Sequence, residues 1–246
     1  GTNNSPSTAT GVNGRDSVEY SLNADETVLT ITAKTRDARM CNFDINASSD
    51  GISCKVPPWR NSATLTTVNF VGYGGTPIYS SEKLAYMFYH CKELKTVNFT
   101  NLNTSRMTAT QYMFRNCSKL TNLDMSGLDL GKWNWASNMF EGCRSITGKL
   151  SFDSSSVAVK FPNSGNYENF SSTSAMFSST GVTEVDIRNI SVGVGNSAYG
   201  MFSDCQNLTK ATIVNVGTTD SSGAAATSNF RHMFAEDKKL ESLYLE

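Results

Sequence analysis

Met113-Phe114-Arg115-Asn116-Cys117-Ser118-Lys119-Leu120-Thr121-Asn122-Leu123-Asp124-Met125 decides how this chain folds, because its pattern returns along the sequence. The pair at its head occurs six times, as Met87-Phe88, Met113-Phe114, Met139-Phe140, Met176-Phe177, Met201-Phe202 and Met233-Phe234. Successive copies lie 26, 26, 37, 25 and 32 residues apart. The residues downstream of each pair are periodic as well. The first copy has Cys91, Leu94, Val97 and Phe99, the fifth Cys205, Leu208, Ala211 and Ile213, and the sixth Asp237, Leu240, Leu243 and Leu245 at matching offsets. The fourth copy is one residue short (Thr180, Val182, Val185, Ile187), and the third carries one extra residue between Ile146 and Leu150.

A period near 26 is that of leucine-rich repeats, in which each unit supplies a strand and a compact return. The Leu-x-x-Leu-x-Leu portion ends in alternation, the mark of a strand with one face buried. The Met-Phe portion has a small residue three before Met (Thr110, Ala136, Ala198) and a Leu seven after it, which predicts a short helical turn with one apolar face. One coil cannot cover its own Met, Phe and aliphatics. Burying each such side chain is worth roughly 1.5–3 kcal/mol, so stacking of coils drives folding. The insertions, near Ser154 to Ser172 and Thr218 to Ser228, fall between strand and turn and should hang out as loops.

Upstream, Leu65-Thr66-Thr67-Val68-Asn69-Phe70 nearly duplicates Leu94-Lys95-Thr96-Val97-Asn98-Phe99, which puts Pro58-Trp59 in the Met-Phe place. This is a degenerate seventh copy, as expected of a terminal repeat. Two alternating segments, from Ser17 to Leu22 and from Thr27 to Thr32, flank Asn23-Ala24-Asp25-Glu26 and predict a β-hairpin. The expected fold is a right-handed, leucine-rich-repeat-like α/β solenoid. It has a parallel concave sheet, short helical turns on the convex side and an N-terminal β-hairpin cap. Its expected divisions are a disordered tether (1–16), the cap with its degenerate repeat (17–70) and the six-unit solenoid (71–246).

The Met-Phe-x-x-Cys-x-x-Leu-x-x-Leu-x-Leu unit resembles the repeat of BspA-like leucine-rich-repeat surface proteins of anaerobic bacteria, and the hairpin followed by Pro57-Pro58-Trp59 is similar to the cap of many members. The likeness runs from about Val18 to Leu245; the chain departs from it by losing Cys in two copies and by its long third and fifth units. The resemblance implies export to the cell surface, often as a lipoprotein or tethered protein, and roles in adhesion or host-protein binding. It brings no catalytic residues.

Charge narrows the function further. With 21 Lys plus Arg against 22 Asp plus Glu, the net charge of −1 supplies no field to gather nucleic acid or anionic lipid. Membrane association is expected only through a tether outside this chain. Cys91, Cys117, Cys143 and Cys205 share one repeat position and read as free thiols, the first three stacked as a ladder, whereas zinc wants four converging ligands. Cys41 and Cys54 could pair in an oxidising compartment. His90 and His232 are five units apart, too far to cooperate in catalysis. No cofactor is expected, and the chain reads as a non-enzyme. The strand positions facing solvent make the candidate binding face: Asn98, Asn122, Asp124, Lys149, Glu184, Asp186, Lys210 and Tyr244. Within it Asp124, Asp153, Glu184 and Asp186 predict a mildly acidic patch. Trp133 falls in a core position, and Trp135, on the other face, is the candidate exposed aromatic. An extracellular or host protein is the expected partner, with glycan as the alternative and clustered exposed aromatics near Trp135 or Tyr199 as its discriminating feature. The last strand, Leu243-Tyr244-Leu245, has no capping element behind it, so an end-to-end dimer is a further expectation.

Overall fold

The computed structural model describes residues 17–43, 53–54, 57–121, 135–153, 173–188, 191–192, 198–214, 217–218 and 230–246. The expected tether, the strand at Asn122 to Asp124, Trp133 and both insertions, Thr218 apart, lie outside the described residues. The first strands are β1 (Val18–Leu22), β2 (Val28–Ala33), β3 (Asn42–Phe43), β4 (Ser53–Cys54), β5 (Thr67–Val71), β6 (Ile78–Tyr79), β7 (Thr96–Asn98) and β8 (Leu102–Asn103). They are followed by β9 (Thr147–Asp153), β10 (Gly181–Arg188), β11 (Ser191–Val192), β12 (Lys210–Val214), β13 (Gly217–Thr218) and β14 (Ser242–Leu245).

Two four-stranded sheets carry the array, ordered β1-β2-β5-β7 and β14-β12-β10-β9. Only β1 and β2 run antiparallel; every other pairing in these sheets is parallel, as coils that each return to the same edge require. The degenerate copy aligns with the first true copy as its sequence demands, Val68 opposite Val97 and Asn69 opposite Asn98. Each coil has further sides. Ile78 pairs with Leu102 between β6 and β8, and bridges join Lys83 to Ala109 and Ala109 to Trp135.

The Met-Phe segments are where the structure departs from the sequence reading. They are not helical turns: among the described residues the chain contains no helix. The residue before each Met has a positive φ (Tyr86 59°, Tyr112 58°, Asn138 57°, Ala175 49°, Gly200 59°, His232 59°), as does the second residue after each Phe (His90 58°, Asn116 61°, Gly142 76°, Ser179 57°, Asp204 58°, Glu236 64°). Left-handed residues at both ends prevent the turn from propagating into a helix. The backbone bonds explain why the strain is tolerated. Met87, Tyr89 and Cys91 donate within their own turn, to Leu84, Tyr86 and Phe88, whereas Tyr86, Phe88 and His90 donate outward to Gln111, Met113 and Arg115 of the next coil. The same three outward rungs recur at every later interface, down to Gly200, Phe202 and Asp204 bonding Arg231, Met233 and Ala235. In the first five copies each left-handed residue thus turns its N–H toward a neighbouring coil.

The interior is a set of ladders along the axis. Phe88, Phe114, Phe140, Phe177, Phe202 and Phe234 stack with centroids 5.3, 5.5, 5.4, 5.5 and 5.9 Å apart and planes within 19°. All but Phe234 are fully buried. Beside them Cys91, Cys117, Cys143 and Cys205 are buried free thiols. Each donates its S–H to the carbonyl of the preceding coil's aromatic, at Trp59, Phe88, Phe114 and Phe177, over 3.0–3.3 Å. Burial pushes the Cys91 thiol up to about 12 and that of Cys205 up to about 11, and raises Cys117 and Cys143 as well. These sulfurs are structural donors, not nucleophiles.

At the β1–β2 end the side chains close over the core. Tyr20 stacks on Trp59 at 5.5 Å, Phe43 meets both edge-on, and the Trp59 indole donates to the Met87 carbonyl at 2.9 Å. Cys41, beneath them, is disulfide-bonded; the side chain of Cys54 lies outside the described residues.

Candidate binding surfaces

Strand alternation places one side chain in two on the open face of the sheet β9-β10-β12-β14. Val185, Ile187, Ala211 and Ile213 point inward and are buried. Between them, register brings Lys149, Glu184, Lys210 and Ser242 into one row and Ser151, Asp186, Thr212 and Tyr244 into the next. Five of the eight candidate face residues therefore share one surface. Asn98 sits on the other described sheet, where its Oδ1 accepts from the N–H and hydroxyl of Thr100 at 3.0 and 2.6 Å. That bond closes a local turn. Asn122 and Asp124 lie outside the described residues.

The predicted acidic patch is corrected by the cations beside it. Glu184 lies 3.1 Å from Lys210 and 3.3 Å from Lys149, on the two flanking strands; Asp186 lies 3.3 Å from Lys149 and 2.7 Å from Arg188. Parallel register makes the alternation of charge across strands inevitable once Lys149, Glu184 and Lys210 share a row. Hydrogen bonds from Lys210 and Lys149 hold the Glu184 carboxyl below the usual range, and those that Lys149 donates to Asp186 and Glu184 hold its ammonium above it. For Asp186 the upward push of partial burial is outweighed by Arg188 and Lys149, and its carboxyl is lowered. The side chain of Asp153 lies outside the described residues. The face is a self-paired charge lattice of three cations and two carboxylates, with Tyr244, 53% exposed, at its free edge.

Trp135 is also corrected. It is half-buried, and its backbone accepts from Thr110 at 2.7 Å and donates to Thr108 at 3.0 Å, which ties it into the bridge with Ala109. Among the described residues the exposed aromatics are instead Tyr73, Tyr199, Phe230 and Tyr244. Phe230, Leu243 and Leu245, with Met233 and Phe234, line a depression of about 520 Å³ at the last coil.

Asp237 stands in that coil where four others carry Cys. Its Oδ1 accepts the Cys205 N–H at 2.7 Å, while Oδ2 is buried and has no donor. Burial pushes its carboxyl up to about 7; the Cys205 N–H opposes this and Asp204 adds to it. In the unfolded chain the group titrates near 4. Between about pH 4 and pH 7 the folded state therefore holds a proton that the unfolded state has released. The stability Asp237 contributes is greatest below pH 4 and falls as pH rises to 7. Asp237→Asn should match the parent protein at pH 4.5 and exceed it at pH 7.5 by on the order of 1–2 kcal/mol, after screening around this last coil. Urea titrations at the two pH values measure the difference.

Sequence reasoning missed a cluster on the turn edge of the first coils. The guanidinium of Arg60 lies over the rings of Tyr86 and Tyr89, at 5.1 and 4.6 Å from their centroids. Tyr86 stacks on Tyr112 at 4.8 Å, and His90 stacks on Tyr89 at 4.1 Å and meets Asn116 Nδ2 through its Nε2 at 2.8 Å. A signal for it existed: Arg60 and Arg115 both follow the core aromatic of their coil directly.

Comparison with known proteins adds little beyond this. A family model described as "Mycoplasma protein of unknown function, DUF285" matches residues 78–164, about a third of the chain. The solved leucine-rich repeat protein of T. pallidum is similar over 80% of this chain and 82% of its own, at 14% identity and a TM-score of 0.32. No curated protein matches.

Proposed function

We propose that this chain is an exported cell-surface recognition module of leucine-rich-repeat type, which binds protein through the open face of the β9-β10-β12-β14 sheet. The observation that carries this reading is the in-register lattice of Lys149, Glu184, Lys210, Asp186 and Arg188, bordered by Tyr244. Its charges are fixed by one another before any partner arrives, so little ordering entropy remains to be lost on binding. An exposed tyrosine beside such a polar field is a common anchor of protein interfaces. The disulfide at Cys41 supports export, since disulfides persist in oxidising compartments. The BspA-like motif supports the same location and an adhesive role. In this reading β1 and β2, with Tyr20 and Trp59 beneath them, act as the cap that keeps the module soluble outside the cell.

The test uses immobilised extracellular-matrix proteins and, in parallel, a glycan array. A matrix protein should be bound, and Tyr244→Ala or Lys210→Glu should weaken that binding about tenfold or more, as expected for an interface anchor. Hits confined to glycans, or matrix binding indifferent to both substitutions, would overturn the proposal.

A further inference from the structure

We propose a second docking site on the turn edge, where Arg60, lying over the rings of Tyr86 and Tyr89, takes a carboxylate from an acidic segment of a partner protein. The chain holds an internal precedent. Arg60 and Arg115 occupy the same repeat position, each directly after its coil's core aromatic. Arg115 lies over the Tyr112 ring at 5.4 Å and is completed by a carboxylate from the next coil: Nη2 donates to Glu141 Oε1 at 3.0 Å, and Nε lies 2.8 Å from Oε2. That carboxylate is itself oriented by Asn138 Nδ2 at 2.6 Å.

Arg60 has the ring contacts without the carboxylate. The position that supplies Glu141 to Arg115 supplies Tyr89 to Arg60. Among the described residues no acidic side chain reaches Arg60; its Nε, like that of Arg115, is buried and makes no hydrogen bond. Only Nε is shut off from water, so the terminal nitrogens keep a free edge. A planar guanidinium packed against two rings is pre-oriented for a bidentate oxyanion. The surroundings favour negative charge as well. His90, beside Tyr89, is pulled down first by burial and then by Lys92, Arg115 and Arg60, all of them cations.

The same geometry selects among anionic partners. A pyranose would need an open ring face to stack on. Tyr86 has Arg60 and Tyr112 against its ring, and Tyr89 has Arg60 and His90 against its own. What the site presents is a cationic edge rimmed by ring edges, which suits an Asp or Glu side chain better than a sugar. The site is independent of the sheet face, being built from different coils and a different side of the array.

Calorimetric titration of the full chain with a hexaglutamate peptide tests this, with an oligogalacturonate of equal charge as the second arm. The peptide should bind in low salt, and the Tyr86 and Tyr89 ring protons should shift on its addition. Arg60→Gln should reduce affinity about tenfold. Arg60→Lys, which keeps the charge but not the fork, should lose part of it and guards against a folding defect in the first variant. Lys210→Glu should leave peptide binding unchanged, so failure here and failure of the sheet-face reading are separable. Equal binding by the parent protein and Arg60→Gln, or tighter binding of the oligogalacturonate than of the peptide, would overturn the proposal.

Discussion

Replacing Phe140 with alanine is expected to lower the unfolding free energy by about 3–5 kcal/mol, the usual cost of truncating a buried phenylalanine. The ring has no exposed surface and stacks on Phe114 at 5.5 Å and on Phe177 at 5.4 Å. Alanine there leaves a void bounded by rings on both sides. Those rings cannot collapse into it, because the backbone rungs Phe114–Met139 and Phe140–Met176 fix the spacing of the coils. Position in the array magnifies the effect. In a one-dimensional stack, stability is a sum of units and of interfaces between neighbours. A lesion in the middle weakens two interfaces at once. Phe234→Ala serves as the comparison, for that ring is half-buried and, among the described residues, has a single stacking partner, Phe202 at 5.9 Å. Its expected loss is about 1–2 kcal/mol, from partial burial and one aromatic pair. Guanidinium denaturation of both variants measures the contrast. Equal, small losses would mean that the ladder does not hold the coils together.

How much of this was visible in the sequence depends on which interactions repeat. The strand register was legible because each strand must bury the same alternate positions. The near-identity of Leu65–Phe70 and Leu94–Phe99 therefore fixed Val68 opposite Val97. The thiol ladder was legible for the same reason: a residue repeated at one offset must meet its own copies. The turns were not legible, since a Met-Phe pair trailed at a distance by Leu fits a helical face as well as a tight turn. The clue lay in the flanking positions. Asn138, Gly200 and His232 before Met, and His90, Asn116, Gly142 and Asp204 after Phe, are residue types that tolerate positive φ. The charge lattice was hidden for another reason. The sequence places Glu184 and Asp186 on the open face but does not say which cations register beside them, and Lys149 reaches Glu184 only through an irregularity in pairing. Arg60 was hidden because its meaning comes from comparison with Arg115, whose carboxylate is supplied by another coil.

That irregularity leads to the second large effect, at Gly181. The third copy has one residue too many before its strand and the fourth one too few, so β9 and β10 cannot pair by simple translation. The structure resolves the mismatch with a register shift between Val182 and Glu184, after which Glu184 faces Lys149 and Val185 faces Leu150. Upstream of the shift Gly181 is drawn against the preceding coil, opposite Thr147. A Cβ on Gly181 would run into the Arg144 carbonyl oxygen and lie 2.9 Å from that of Ile146. Both obstacles are backbone, so neither can swing aside. Gly181→Ala is expected to cost about 3 kcal/mol, the upper part of the range for overpacking, and to pull Glu184 out of line with Lys149. Gly148, across the same irregularity, isolates the other cost a glycine can avoid. It has φ +82° with nothing within 4 Å of an added Cβ, so Gly148→Ala meets backbone strain alone, about 1–2 kcal/mol. Denaturant midpoints rank the two variants, and tenfold-raised salt asks whether the lattice went with the clash. Its screening should lower the parent's stability and that of Gly148→Ala, but move Gly181→Ala less, because the pairs it weakens are already parted. If the alanine at 148 proves the more damaging, or if both variants keep the parent's salt response, then the length mismatch is absorbed elsewhere and the lattice does not depend on Gly181.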